Sequence, residues 1–415
     1  MAHIQDRWFK QVPDPEKPDK TKKVKTDLHG QGLRYKVRYL DPDGVERSKT
    51  FPNGQLRAAQ EWKATQEVDL ARGAYVDPKA GKVTVKAFGQ SWLADLDIDE
   101  LSREQMEMRF RSRIFPYLGS AEIGSVRPSA IRTWDRILRE EGLSDRYRHT
   151  LFGNLSAMFT AAVDDNLTAR HPCTGKSVKK PRPARKKVTP WPEDRVWKVQ
   201  EKLTERFRVL VDLGAGLGLR QGECLGLAVE DVDFLRGVVH VRRQVKTVRY
   251  KHVFALPKYD KARDIPLSEP VKIALAEHIR KFPPKTVTLP WDVAGGEPHT
   301  VRLIVTSVRG LVVAANDFNR NYWKPALMAA SVPYGRYENG MHELRHFFAS
   351  VLLDQGESIK AVAEWLGHAD AAFTLQTYTH LMPSSDERTK NVITGLYGRK
   401  TSDGPTTASA DEKAE

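Results

Sequence analysis

Cysteine is close to absent from this sequence: Cys173 and Cys224 are the only two in 415 residues. A pair so far apart supplies neither a disulfide framework nor a cysteine metal knuckle, and it fits a reducing compartment. No apolar run approaches the roughly 20 residues that a membrane-spanning helix needs. The opening residues, MAHIQDRWFKQ, lack the apolar stretch of a secretory leader. The sequence therefore predicts a cytoplasmic protein with no membrane contact. Acidic residues are also in deficit. Lysine and arginine number 67 against 53 aspartates and glutamates, a net charge of +14. That surplus suits a polyanionic partner, nucleic acid foremost. With 40% hydrophobic residues the chain is globular, and its length admits several domains.

Residues 1–26 are polar, with Lys17, Lys20, Lys22, Lys23 and Lys25 set among prolines, and read as a flexible basic arm. In residues 27–82, Leu33 to Leu40 alternates apolar with basic side chains. Asp41-Pro42-Asp43-Gly44 is a turn signal, Val45 to Phe51 a second strand, and Leu56 to Arg72 a helix ending at Gly73. The result is a small α+β module with Arg34, Lys36 and Arg38 on one strand face, placed to meet a DNA groove. Residues 83–174 are helical; Ile131, Trp134 and Leu138, and Leu151, Leu155, Met158, Phe159 and Ala162, form core stripes. Residues 175–188 hold seven basic residues and no acid: Lys176, Lys179, Lys180, Arg182, Arg185, Lys186 and Lys187. This stretch cannot bury a core and reads as an extended linker that tracks a phosphate backbone. Residues 189–399 form a mixed, mainly helical domain, with a helix from Val196 to Leu213 and strands over Val238 to Val245 and Val253 to Leu267. Residues 400–415 read as a disordered tail.

Several motifs are decoys. Gly175-Lys176-Ser177 lacks the glycine a phosphate loop requires five residues earlier, where Arg170 stands. The series Gly214, Gly216, Gly218 has the wrong spacing for a dinucleotide site. His342-Glu343-Leu344-Arg345-His346 is a literal HExxH, which on a helix sets two histidines one turn apart for zinc, with Glu364 as a distant third ligand. A zinc peptidase is thus the alternative from another class, but it leaves the basic arm, the basic linker and Tyr378 unexplained. The HxxR pattern recurs at His240 and His299. His240 lies within an alternating strand and His299 in a loop after Gly295-Gly296, whereas His342 follows Gly340 and opens an amphipathic helix, with Arg345 expected at the rim of a cleft.

Arg220 in GLRQGE, Lys258 in LPKYDKARDIPL, His342 and Arg345 in HELRH, His368 in LGH and Tyr378 in TLQTYTH stand in one order. Together they resemble the tyrosine recombinase, or phage integrase, family. The likeness covers roughly Thr189 to Tyr397 and extends upstream to IFPYLGSAEIGSVRPSAI. Glu343 stands where aspartate is usual, and Phe282 to Thr300 reads as an insertion. The resemblance implies an N-terminal arm-binding module of hairpin or three-stranded sheet plus helix, an all-α core-binding domain, and a mainly-α catalytic domain with a small antiparallel sheet. It implies that Tyr378 attacks a DNA phosphate to give a 3′-phosphotyrosyl link. Arg220 and Arg345 would stabilise the phosphate oxygens, Lys258 (or Lys261) would act as general acid, His342 and His368 would position the phosphate, and Glu223 or Glu343 would orient an arginine. It further implies no metal, nucleotide or other cofactor, double-stranded DNA with core and arm sites, and a homotetramer on DNA to which C-terminal segments contribute Val392, Ile393, Leu396 and Tyr397. A host bending factor and an excision factor are the accessory partners it suggests. A type IB-like topoisomerase shares the chemistry without the arm module, and a silent DNA binder would not retain all six polar positions.

Overall fold

A computed structural model of the chain describes residues 2–14, 17–42, 44–71, 80–184, 188–335, 338–368 and 370–378, with 390, 393–395 and 397 beyond them. The chain divides into two compact units, Met1–Arg185 and Lys186–Glu415. Among the described residues no helix is long and apolar enough to cross a membrane.

The first unit begins with a correction. The expected flexible arm of residues 1–26 contains three strands: β1 (His3–Asp6), β2 (Phe9–Asp14) and β3 (Lys17–Lys25). β2 and β3 pair with each other, while β1 pairs antiparallel with β4 (Tyr35–Leu40), which also pairs with β5 (Glu46–Phe51). The arm module therefore starts at His3 rather than at residue 27. The alternation read in β4 holds: Tyr35, Val37 and Tyr39 are buried, while Lys36 and Arg38 face outward. Tyr35, Val37, Phe51 and Ala59 form a small core with Ile4 and Trp62, so α1 (Leu56–Ala71) covers one face of the sheet. The other face carries His3, Gln5, Lys36, Arg38, Ser48 and Thr50, cross-strand neighbours by register.

The helical part holds α2 (Val85–Asp95), α3 (Glu100–Arg109), α4 (Phe115–Leu118), α5 (Pro128–Glu140) and α6 (Asp145–Asp164). Thr84, Asp99 and Ser144 each cap the helix that follows by accepting a backbone N–H, which sets where α2, α3 and α6 start. The expected stripes meet: Ile131, Trp134 and Leu138 of α5 share a core with Leu151, Leu155, Met158, Phe159 and Ala162 of α6. The expected linker is not wholly free. Ser177 Oγ accepts from Arg132 at 2.6 Å, and the carbonyl of Pro181, itself buried, lies 2.7 Å from His149 Nδ1. Gly175 to Pro181 thus lies along the helical part, with Lys179 and Lys180 exposed, and Arg182 exposed beyond it. Arg185, Lys186 and Lys187 fall outside the described residues.

In the second unit the expected helix from Val196 is two: α7 (Glu193–Lys202) and α8 (Glu205–Leu217), broken at Leu203-Thr204. After α9 (Gln221–Gly226), β6 (Val232–Asp233), β7 (Val238–Val241) and β10 (Arg263–Pro266) form one antiparallel sheet in the order β10-β7-β6. β8 (Gln244–Val248) and β9 (Lys251–Ala255) form a separate hairpin, so each of the two expected strands is split between sheets. α10 (Glu269–Lys281) follows. The expected insertion is an ordered hairpin of β11 (Lys285–Pro290) and β12 (Pro298–Leu303). The chain continues through α11 (Ala315–Phe318), α12 (Lys324–Ala329), α13 (His342–Asp354), α14 (Ile359–Leu366) and α15 (Ala371–Tyr378). Leu213 and Leu217 of α8 share a core with Leu344 of α13, which brings Gly218 and Arg345 together.

Candidate active site

α8 stops because Gly218 turns left-handed, at φ 63°, and its carbonyl accepts from Arg345 Nη1 at 2.7 Å. Arg220 then stands extended at the N-terminus of α9. Its backbone N–H donates to Glu223 Oε2 and its Nη1 to Glu223 Oε1, both at 2.9 Å. Glu223 is wholly buried, and Arg263 of β10 reaches it as well, Nη1 to Oε1 at 3.0 Å and Nη2 to Oε2 at 2.7 Å. Four donors thus fill one carboxylate. Burial alone would raise its pKa, but Arg263 above all, then Arg220, hold it down to about 2.

The end of α14 gathers the same cations. Trp365 O accepts from Arg263 Nε at 2.5 Å, Leu366 O from Arg345 Nη2, Gly367 O from Arg220 Nη2 at 3.3 Å, and His368 O from Lys261 Nζ at 3.2 Å. Four consecutive carbonyls at a helix C-terminus, the negative end of its dipole, are matched by four positive side chains. Gly367 is left-handed at φ 61°, and a Cβ there would sit 3.1 to 3.3 Å from Arg263 side-chain atoms. Only glycine allows both the turn and this close approach. His368 is carried out of the turn, with Nδ1 2.7 Å from Thr374 Oγ1 of α15.

α13 supplies the remaining groups. Arg345 was expected at a cleft rim; it is instead 1% exposed, its guanidinium turned inward to the main-chain carbonyls of Gly218 and Leu366. Burial and then Arg220 lower its pKa to about 9, with Glu223 opposing, so it stays cationic at neutral pH. His342 and His346 lie edge to face with centroids 4.7 Å apart. His346 Nδ1 is 2.6 Å from Tyr378 Oη, at the end of α15. Burial and the neighbouring positive charges push His368 down to about 3 and His346 to about 4; the same charges lower His342, which is itself exposed. The three imidazoles are therefore neutral at pH 7, and His346 has a lone pair for the tyrosine O–H. Tyr378 is 2% exposed; burial lifts its pKa above the tyrosine range, Arg345 opposes this and Glu343 adds to it. Among the described residues no three His, Cys, Asp or Glu side chains converge as a metal would require.

The structure thus brings together Arg220, Glu223, His342, Arg345, His368 and Tyr378, with Glu343 in the first turn of α13. Lys258 is exposed on the turn after β9, its Nζ 5.0 Å from the Tyr259 ring centroid, and Lys261 of the same turn is the lysine bonded to His368 O. In the arm module Lys36 and Arg38 share the outward face, but Arg34 is tied to Asp6 at 2.8 Å and to Asn53 at 3.1 Å, and Arg38 pairs with Glu46 at 3.0 Å. Sequence reasoning missed Arg263 and Thr374, and weighed His346 only as a zinc ligand. Arg263 had a signal: it lies two and four residues before the apolar Ile265 and Leu267, so strand alternation turns it inward with them.

Residues 194–385 match the phage integrase family. The chain is 28% identical over 383 residues to a XerC-like tyrosine recombinase of Caldanaerobacter subterraneus, covering 86% of this chain and 94% of the relative. It is 23% identical to the integrase of Mycobacterium phage D29, covering 88% and 95%. Its fold is that of the Tn1549 transposon integrase solved with circular intermediate DNA (TM-score 0.62, 21% identity, 75% of this chain and 99% of that one). It is also that of lambda integrase, solved as a tetramer on a Holliday junction (TM-score 0.55, 18% identity, 82% and 92%). Relatives along nearly the whole chain, a shared fold, and a tyrosine set among histidines and buried arginines agree: residues 194–385 are a phage integrase family domain, in a chain similar to tyrosine recombinases along most of its length.

Proposed function

We propose that the chain is the site-specific recombinase of a phage or other mobile element and that Tyr378 is its nucleophile. The observation that carries this reading is one of charge: the guanidiniums of Arg220, Arg263 and Arg345 surround a single carboxylate, Glu223, and the charge of Arg345 acts on the Tyr378 hydroxyl. The surplus positive charge suits a phosphodiester, and preorganised donors of this kind are typically worth about 10²- to 10³-fold in rate each.

In this mechanism Tyr378 Oη attacks phosphorus and its proton passes to His346 Nδ1, whose basicity recovers when the DNA phosphate offsets the charge of Arg345 that holds it down. The P–O5′ bond breaks, and the leaving 5′-oxygen takes a proton from Lys258. The product is a 3′-phosphotyrosyl link and a free 5′-hydroxyl. A 5′-hydroxyl from a partner strand reverses the step, so bond energy is conserved without ATP. Arg220 and Arg345 neutralise the phosphate oxygens, His342 and His368 hold them, and the guanidiniums supply the fixed charge that a divalent ion gives elsewhere. Lys258 must swing inward from its exposed turn when DNA binds. The sheet face of His3, Gln5, Lys36, Arg38, Ser48 and Thr50 meets arm-type DNA, the helical part and Lys179, Lys180 and Arg182 meet core DNA, and the working form is a tetramer on two sites.

The test uses a nicked duplex selected from a randomised pool by binding to the full chain. Incubation should give a covalent protein–DNA adduct whose peptide maps to Tyr378, and Tyr378→Phe should bind the duplex normally and form none. An adduct on another residue, or one that persists in the phenylalanine variant, refutes the assignment.

A further inference from the structure

Arg263 has no role in the chemistry above, yet it is among the most completely bonded side chains in the second unit. Its guanidinium donates three hydrogen bonds, two as a fork to the two oxygens of Glu223 and one to the Trp365 carbonyl. A buried ion pair is by itself weak evidence of function, because apolar replacements often stabilise as well. What distinguishes this one is where the bonds end. Glu223 holds the backbone and guanidinium of Arg220, and Trp365 O begins the carbonyl series that leads to His368. The side chain also packs into the space left by the missing Cβ of Gly367, directly before His368. We infer that Arg263 is a positioning residue that sets Arg220 and His368 in one frame, through Glu223 on one side and the turn of Trp365 to Gly367 on the other. This rests on the reading of Arg220 and His368 as phosphate-binding groups.

The inference depends on shape as well as charge. A planar guanidinium forks onto both carboxylate oxygens and keeps a third N–H for the carbonyl; an ammonium supplies the charge but not that geometry. Arg263→Lys therefore separates positioning from mere charge balance. Displacing a phosphate ligand by about 1 Å can cost roughly 100-fold in rate. The lysine variant should bind the selected nicked duplex with unchanged Kd, melt close to the parent chain, and form the covalent adduct about 10- to 100-fold more slowly in single turnover. Adduct formation at the parent rate overturns the inference, and so does a loss that merely follows the folded fraction or the loss of DNA binding. Should the lysine variant fail to fold, the chain carrying both Arg263→Gln and Glu223→Gln, which removes one charge of each sign and so keeps the net charge of the site, is compared with Glu223→Gln alone. Equal slowing in the two places the residues on one line of action. Parent-rate cleavage in either, or slowing that multiplies in the double variant, overturns it. The parent chain is the control for the underlying reading: no adduct at Tyr378 sinks that reading, whereas a parental adduct with an undiminished lysine variant sinks only the role of Arg263.

Discussion

Glu223→Gln alters one oxygen and one proton, and the structure says how much should follow. In the folded chain the carboxylate accepts from Arg220 and Arg263 through four bonds, none longer than 3.0 Å. The amide can keep the donors on its oxygen, but its NH2 then faces the N–H of Arg220 and Nη2 of Arg263, donor against donor. The carboxyl pKa, ordinarily 4.5, is held to about 2, a difference worth on the order of 3 kcal/mol by linkage. Breaking a buried ion pair typically costs about 3–5 kcal/mol, which agrees. Because the pKa is depressed on folding, this stability is fully present above 4.5 and is lost as pH falls through that value toward 2. Calorimetry of the full chain at pH 7 should show the catalytic transition of the variant roughly 6–12 °C below the parent, given a unit of this size. The gap should narrow by roughly 2 kcal/mol on going to pH 3, since the glutamine does not titrate. A gap below about 1 kcal/mol at neutral pH, or one that stays constant with pH, would refute the view of Glu223 as the anion that holds the cluster together.

Chelation should leave strand cleavage unchanged; loss of activity in EDTA, restored by zinc, would instead revive the HExxH reading of His342 and His346. Deleting residues before Ala74 should abolish binding to one class of DNA site while core-type duplex remains bound and cleaved, and equal loss at every site in a gel-shift panel would show that the module has no separate target. Truncation after Pro383 should leave a folded chain that binds DNA but assembles and recombines poorly; paired-site complexes sedimenting as tetramers as abundantly as with the full chain would contradict this.

The parts of the fold that were legible in the sequence are those where side-chain burial dictates structure. Tyr35, Val37 and Tyr39 alternate because one face of β4 is covered, and the α5 and α6 stripes follow the helical period because they meet in one core. The N-terminal strands were illegible for the opposite reason. β1 contributes one inward apolar residue, Ile4, and is held largely by main-chain hydrogen bonds to β4, which leave no mark on composition. The six-residue site order could be read because each polar group has a task in the chemistry proposed. His346 and Thr374 could not be placed, since their partners lie on other segments, Tyr378 on α15 and His368 in the turn after α14. Arg345 was placed at a rim because helical periodicity locates a residue on its own helix; it says nothing of the turn of α14 that closes over it.

The series of carbonyls at the end of α14 makes tolerance to substitution very uneven along four adjacent positions. Main-chain oxygens cannot be removed by changing a codon. Trp365 and Leu366 can exchange side chains, within the demands of packing, without removing the acceptors that Arg263 and Arg345 use. Gly367 has no such latitude, because any side chain there meets both the left-handed turn and the Arg263 fork. Deep mutational scanning for recombination should therefore find Gly367 intolerant for its backbone and His368 for its imidazole, beside more permissive positions 365 and 366. Substitutions at positions 365 and 366 therefore alter surface and packing while leaving in place the main-chain oxygens that hold Arg263 and Arg345.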